Sequence, residues 1–97
     1  ELYVGEFVKF LAHLRAVYPD AYHLILAPSL WGDEVALVAG YLQDVVDQRH
    51  AAGDPDVGFA DINVPWIGSG CDGHPSVSTH DGMATRLTEE LQTRLGW

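Results

Sequence analysis

The sequence predicts an α/β fold built on parallel strands, and three observations carry that expectation. Apolar residues recur at helical spacing in three segments. Two short apolar runs lie between those segments, and proline or glycine punctuates the junctions. The resulting order, helix–strand–helix–strand–helix, is that of a doubly wound sheet with crossover helices.

Each element has its own signal. Phe7, Phe10, Leu11, Leu14 and Val17 fall on one stripe and predict a helix from about Leu2 to Val17. Tyr18-Pro19-Asp20 stops it, because proline cannot continue the hydrogen-bond ladder. Tyr22 to Ala27 is short, mostly apolar and lacks alternation, as a strand buried on both faces does. Asp33 reads as the N-cap of a second helix carrying Val35, Val38, Leu42, Val45 and Val46, which runs to about Ala52. Gly53-Asp54-Pro55 closes it, and Val57 to Val64 reads as a second strand. Pro65 to Ser78 is the longest irregular stretch, with three glycines and two prolines. Ser78-Thr79-His80-Asp81 fits a capping box, and Met83, Leu87, Leu91 and Leu95 mark a terminal helix with Arg86–Glu90 and Glu90–Arg94 pairs.

Two short strands cannot cover three amphipathic helices. The expectation is therefore that the chain supplies the last part of a larger sheet. It begins at Glu1 inside a helical pattern, which fits a piece of something longer. A length of 97 residues allows one domain at most. Fourteen acidic residues against five Lys and Arg give a net charge of −9, which repels phosphate backbones and anionic lipid. Nucleic acid and membrane surfaces are thus not expected as partners. No apolar run approaches the ~18 residues of a membrane span. Cys71 is the sole cysteine, so no internal disulfide can form.

In open α/β sheets, ligands bind outside the carboxyl ends of the strands. The loops Pro28–Asp33 and Pro65–Ser78 would lie there, and the second holds Asp72 and His74 two residues apart. A carboxylate accepting from Nδ1–H fixes an imidazole's tautomer and stabilises the imidazolium formed when Nε2 takes a proton. Imidazole suits that role because it titrates near ~6.5. Spacing alone does not separate this pair from an incidental Asp and His on a surface loop.

Gly70-Cys71-Asp72-Gly73-His74-Pro75-Ser76-Val77, Thr79-His80-Asp81-Gly82-Met83-Ala84 and the closing Leu95-Gly96-Trp97 add to the spacing. With Leu14 to Ala21, these segments make the chain resemble the family-two carbohydrate esterases from about Glu6 to Trp97. That family, acetyl xylan esterase-like, is a branch of the SGNH (GDSL-type) hydrolases. The resemblance implies a flavodoxin-like three-layer α/β/α fold, of which this chain supplies about the last two parallel strands and three helices. It also implies removal of acetyl groups from poly- or oligosaccharides, with His74 as general base, Asp72 as its orienting partner and no cofactor. The family's serine nucleophile lies in a Gly-Asp-Ser block, and its oxyanion groups include a glycine and an asparagine; none of these blocks occurs here. The N-terminal segment of the same protein is then the expected partner, and the chain alone is expected to be inert. An exported bacterial protein is a further implication of the family alone. Gly73 stands where members often carry an aromatic residue, which alters one wall of the expected sugar site.

Trp31 and Trp66 fall in the two loops and are candidate stacking platforms for a sugar ring, or else lids packed over the sheet end. Cys71, His74 and His80 lack the second paired cluster of a structural zinc site, so no metal is expected. Cys71 beside His74 in a tight loop reads as an inert thiol rather than a nucleophile. His23 reads as a core histidine, His50 as a partner of a helix dipole, and Trp97 as packing back on the domain. Two other functions share the fold: a carbohydrate-binding or interaction module without catalysis, and an SGNH lipase or thioesterase.

Overall fold

The computed structural model describes residues 2–27 and 34–97. It contains α1 (Leu2–Val17), β1 (His23–Leu26), α2 (Glu34–Ala51), β2 (Val57–Ala60) and α3 (Val77–Leu95). β1 and β2 pair as a two-stranded parallel sheet, the strand–helix–strand arrangement expected of an α/β fold. The chain divides into two compact units, Glu1–Phe59 and Ala60–Trp97, which are described separately.

In the first unit, Val4, Leu11, Ile25, Ala27, Leu42, Val45, Val46 and Val57 form the buried cluster. Phe7, Val8, Leu14, Val38 and Phe59 pack against it. The buried face of α1 therefore runs through positions 4, 7, 8, 11 and 14, at helical spacing. This corrects the expected stripe at two places, since Phe10 and Val17 are about half exposed. Phe10 instead stacks on Phe7, which stacks on Tyr3, with ring centroids 6.1 and 6.0 Å apart. Tyr3 also meets Tyr41 of α2 at 6.0 Å. Leu2, Tyr3, Val17 and Tyr18 leave further apolar surface in the open.

One polar cluster fixes the ends of these elements. Asp54, 7% exposed, lies in the turn between α2 and β2. Its Oδ1 accepts from Arg15 Nε at 3.1 Å, and its Oδ2 accepts from an Arg49 guanidinium nitrogen at 2.9 Å. The rest of the Arg15 guanidinium donates to the carbonyls of Tyr18, Pro19 and Ala21, the last at 2.5 Å, and to Asp56 at 3.0 Å. Asp56 in turn accepts from the His23 amide at 2.9 Å where β1 begins. Arginine's planar fork allows one side chain to serve that many acceptors. Burial alone would push the Asp54 carboxyl up; hydrogen bonds and charge from Arg49 and Arg15 outweigh it and hold it below its ordinary value.

The histidines of this unit diverge from one another. His50 Nε2 donates to the Val57 carbonyl at 2.7 Å, a definite bond in place of the expected dipole interaction. His23 has both ring nitrogens buried and, among the described residues, without a hydrogen-bond partner. The expected N-cap Asp33 and the loop holding Trp31 lie outside the described residues.

β2 stops four residues short of the expected strand. Just beyond it the Asp61 carboxylate accepts from both the amide and the side-chain Nδ2 of Asn63, each at 2.9 Å. That local turn diverts the backbone from the sheet ladder. The N-cap of α3 lies two residues earlier than expected, at Ser76 rather than Ser78. It ends at Gly96, whose left-handed φ of 69° lets its amide bond back to Gln92. Arg94 pairs with Glu90 at 3.0 Å as expected, but Arg86 donates to the Asn63 carbonyl at 2.8 Å instead of to Glu90. Trp97 is 77% exposed and does not pack back.

Asp54 gives a pH signature with a fixed sign. Its folded pKa lies below the unfolded value of about 3.9, so its stabilisation is present above that pH and is lost as pH falls through the folded value. The unfolding midpoint is expected to drop below about pH 4, and Asp54→Asn should flatten that drop. At neutral pH the same substitution leaves two guanidiniums unpaired and should cost roughly 3 kcal/mol, measurable by urea denaturation.

Candidate active site

The irregular stretch before α3 is more ordered than its composition suggests. Asp72 has φ 54° and ψ 40°, and Gly73 has φ 72°, so two successive residues are left-handed. Two left-handed central residues define a type I′ turn, which favours Asp-Gly. The turn closes with the His74 amide bonded to the Cys71 carbonyl at 3.2 Å. The Gly70 amide bonds to the His74 carbonyl at 2.8 Å, and Ser69 and Pro75 form an antiparallel bridge. The segment is a small hairpin with His74 at the start of its returning arm. Gly70 is required by space: a Cβ there would sit 2.8 Å from the Pro75 oxygen and 3.2 Å from the His74 oxygen.

The hairpin sets the chemistry available to His74. Its Nδ1 lies 3.2 Å from the Cys71 carbonyl oxygen. A carbonyl only accepts, so Nδ1 carries the proton and the neutral ring presents a lone pair at Nε2. That is the tautomer a general base needs. His74, Asp72 and Cys71 are all exposed. The expected bond between His74 and the Asp72 carboxylate is not among the hydrogen bonds of the described residues. The Cys71 backbone occupies Nδ1, while Asp72 takes the first left-handed position of the turn.

The arm leading into the hairpin is tied to α3. The Ile67 amide donates to Thr79 Oγ1 at 2.9 Å, and Ser76 Oγ donates to the Ile67 carbonyl. Ser76 Oγ also accepts from the Thr79 amide at 3.2 Å and lies 3.1 Å from Thr79 Oγ1. Thr79 is completely buried. Trp66, half-buried, precedes Ile67 on this arm. Thus the structure brings Trp66, Asp72 and His74 into one looped segment, whereas Trp31 lies outside the described residues. Sequence reasoning put the N-cap at Ser78 and gave no role to Ser76 or to the Thr79 hydroxyl. It also missed the hairpin, for which Asp72-Gly73 is the standard cue. Among the described residues no group of three His, Cys, Asp or Glu could hold a metal ion, and no helix is long and apolar enough to cross a membrane.

The fragment is similar in sequence and fold to a carbohydrate esterase of family two. Two solved structures of a family-two carbohydrate esterase from Clostridium thermocellum superpose on this chain with TM-scores of 0.86 and 0.83 at 36% identity. One is in complex with cellohexaose, and the other is an active-site mutant described with a cellohexaose-type ligand. The match covers 97% of this chain and 30% of each of those chains. Among curated proteins, the chain is 36% identical to the cellulase/esterase CelE of Acetivibrio thermocellus over 98% of its own length. It spans 12% of that protein's length. No protein-family profile matches the chain.

Gly70→Ala tests the hairpin without touching its donors and acceptors. The added methyl must push the Pro75 and His74 carbonyls aside. Amide hydrogen exchange at position 70 and at His74 should accelerate strongly, while exchange in the middle of α3 stays unchanged.

Proposed function

We propose that this chain is the C-terminal part of a carbohydrate esterase domain and that the whole protein removes acetyl groups from poly- or oligosaccharides. The observation that carries the reading is the exposed His74 with Nδ1 engaged by the Cys71 carbonyl and Nε2 left to take a proton. Similarity to family-two esterases over nearly the full chain supports the substrate class. The chain spans less than a third of those solved chains, so the nucleophile and oxyanion groups belong to the upstream portion in this reading. Alone, the chain would be inactive.

In the mechanism, the upstream serine attacks the ester carbonyl while His74 Nε2 takes its proton. The imidazolium then gives that proton to the departing sugar oxygen, leaving an acetyl-serine. Water, deprotonated by His74, attacks the acetyl carbon; acetate leaves and the serine regains its proton. Asp72 is the expected electrostatic partner of the imidazolium, while the Cys71 carbonyl accepts the Nδ1–H. Trp66 and Trp31 would stack on sugar rings. No step calls for a metal or organic cofactor. Export from a bacterial cell is part of the same proposal and rests on the family alone.

A second reading is a carbohydrate-binding module that keeps the fold without turnover. It draws on the cellohexaose complex of the solved relative, since binding a glucan chain does not itself require an ester. A Gly-Asp-Ser block in the upstream sequence would favour the esterase, and its replacement would favour the module.

The full-length protein should lose essentially all hydrolysis of p-nitrophenyl acetate on His74→Ala. Undiminished turnover by that variant would sink the assignment. Asp72→Asn should lower kcat less than His74→Ala does, because the Cys71 carbonyl still accepts the Nδ1 proton.

A further inference from the structure

We propose that Ser76 and Thr79 are positioning residues that lock the Trp66 arm and the His74 arm of the loop into one unit, coupling sugar grip to proton transfer. The inference rests on the esterase reading of His74 and Trp66 given above.

The hydrogen bonds close a ring. Ile67 N–H donates to Thr79 Oγ1, and Ser76 O–H donates to the Ile67 carbonyl. With the Ser76 proton so used, the 3.1 Å contact between the two hydroxyls is a bond from Thr79 O–H to Ser76 Oγ. Each hydroxyl both donates and accepts in the same direction around the ring, the arrangement in which such bonds polarise one another. Two side chains thereby satisfy both backbone groups of a single residue, as a neighbouring strand would.

A helix cap alone does not explain this. Capping needs only Ser76 Oγ and the Thr79 amide, which are 3.2 Å apart. It does not require a completely buried threonine whose hydroxyl faces Ile67. The arm is tied to α3 at two more points along its length. Gly82 brings the helix close to Val64, where a Cβ would lie 3.2 Å from the valine methyl, and Arg86 holds the Asn63 carbonyl. Positions 79, 82 and 86 share one helical face and meet 67, 64 and 63 in reverse order. Ser76 directly follows His74-Pro75, and Ile67 directly follows Trp66, so the ring joins the two functional side chains through one residue on one arm and two on the other.

The test uses the full-length protein with Thr79→Val, Thr79→Ser, Ser76→Ala and His74→Ala. Activity is read per folded molecule on p-nitrophenyl acetate and on an acetylated xylo-oligosaccharide. Thr79→Val is expected to lower kcat on the small ester about tenfold or more and to raise KM for the oligosaccharide severalfold. Thr79→Ser, which keeps the hydroxyl, should restore both to within about twofold. If Thr79→Val fails to fold, Ser76→Ala is read against the same limits. A fall in thermal midpoint with kcat and KM both within about twofold of the parent would reduce the ring to a structural cap and overturn the proposal. Hydrogen exchange reads the coupling apart from catalysis: Thr79→Val should release the Ile67 and His74 amides together, and release of Ile67 alone would also overturn it. Persistent turnover by His74→Ala would remove the esterase reading while leaving that exchange result to stand on its own.

Discussion

Everything in the first unit is registered against the Asp54 carboxylate. Two guanidiniums bind its two oxygens, one from α1 and one from α2, and the Arg15 fork continues into the turn that leads to β1. Such a buried cluster contributes little net energy over a well-packed apolar replacement, because desolvation offsets much of the attraction. What it adds is specificity. The apolar cluster of valines and leucines would tolerate small slips of α1 along its axis, whereas a fork with fixed donors would not. The start of β1 follows, since Asp56 accepts from both Arg15 and the His23 amide.

The second unit solves a different problem with a different device. It must hold an irregular loop with little regular backbone pairing, and it does so with short-range bonds. The hairpin at Ser69–Pro75 is closed by a left-handed aspartate and glycine, and the ring of hydroxyls at the head of α3 receives the arm on its other side. The imidazole is fixed by the backbone of a residue three positions earlier. Its tautomer therefore depends on the turn itself and not on a partner brought from elsewhere in the chain.

The sequence made the helices legible because their periods are long and their ends punctuated. Pro19 marks the end of α1, and Gly53 marks the end of α2 to within a residue. The strands were less legible, because a short apolar run does not state where pairing stops. The expected second strand continued to Val64, but Asp61 offers its carboxylate to Asn63 and ends the ladder. Phe10 and Val17 looked like core residues because periodicity alone cannot distinguish a buried stripe from its flank. In the loop, His74 and Asp72 were visible as residue types, but their relation was not. Whether a carboxylate or a carbonyl meets Nδ1 depends on backbone dihedrals, and a left-handed Asp72 was signalled only by the Asp-Gly pair. Ser76 and Thr79 were hidden for another reason: hydroxyl groups carry no distinctive pattern until their partners are known.

The sequence separation of the Arg15 contacts also bears on synthesis. Arg15 finds Asp54 and Asp56 39 and 41 positions later in the chain. At ribosomal rates of about 5–20 residues per second, α1 leaves the exit tunnel seconds before its anchor is made. During that interval Phe7, Leu11 and Leu14 lack the α2 and strand residues they later pack against. Translation speed across residues 18–56 therefore sets how long those contacts stay unmade.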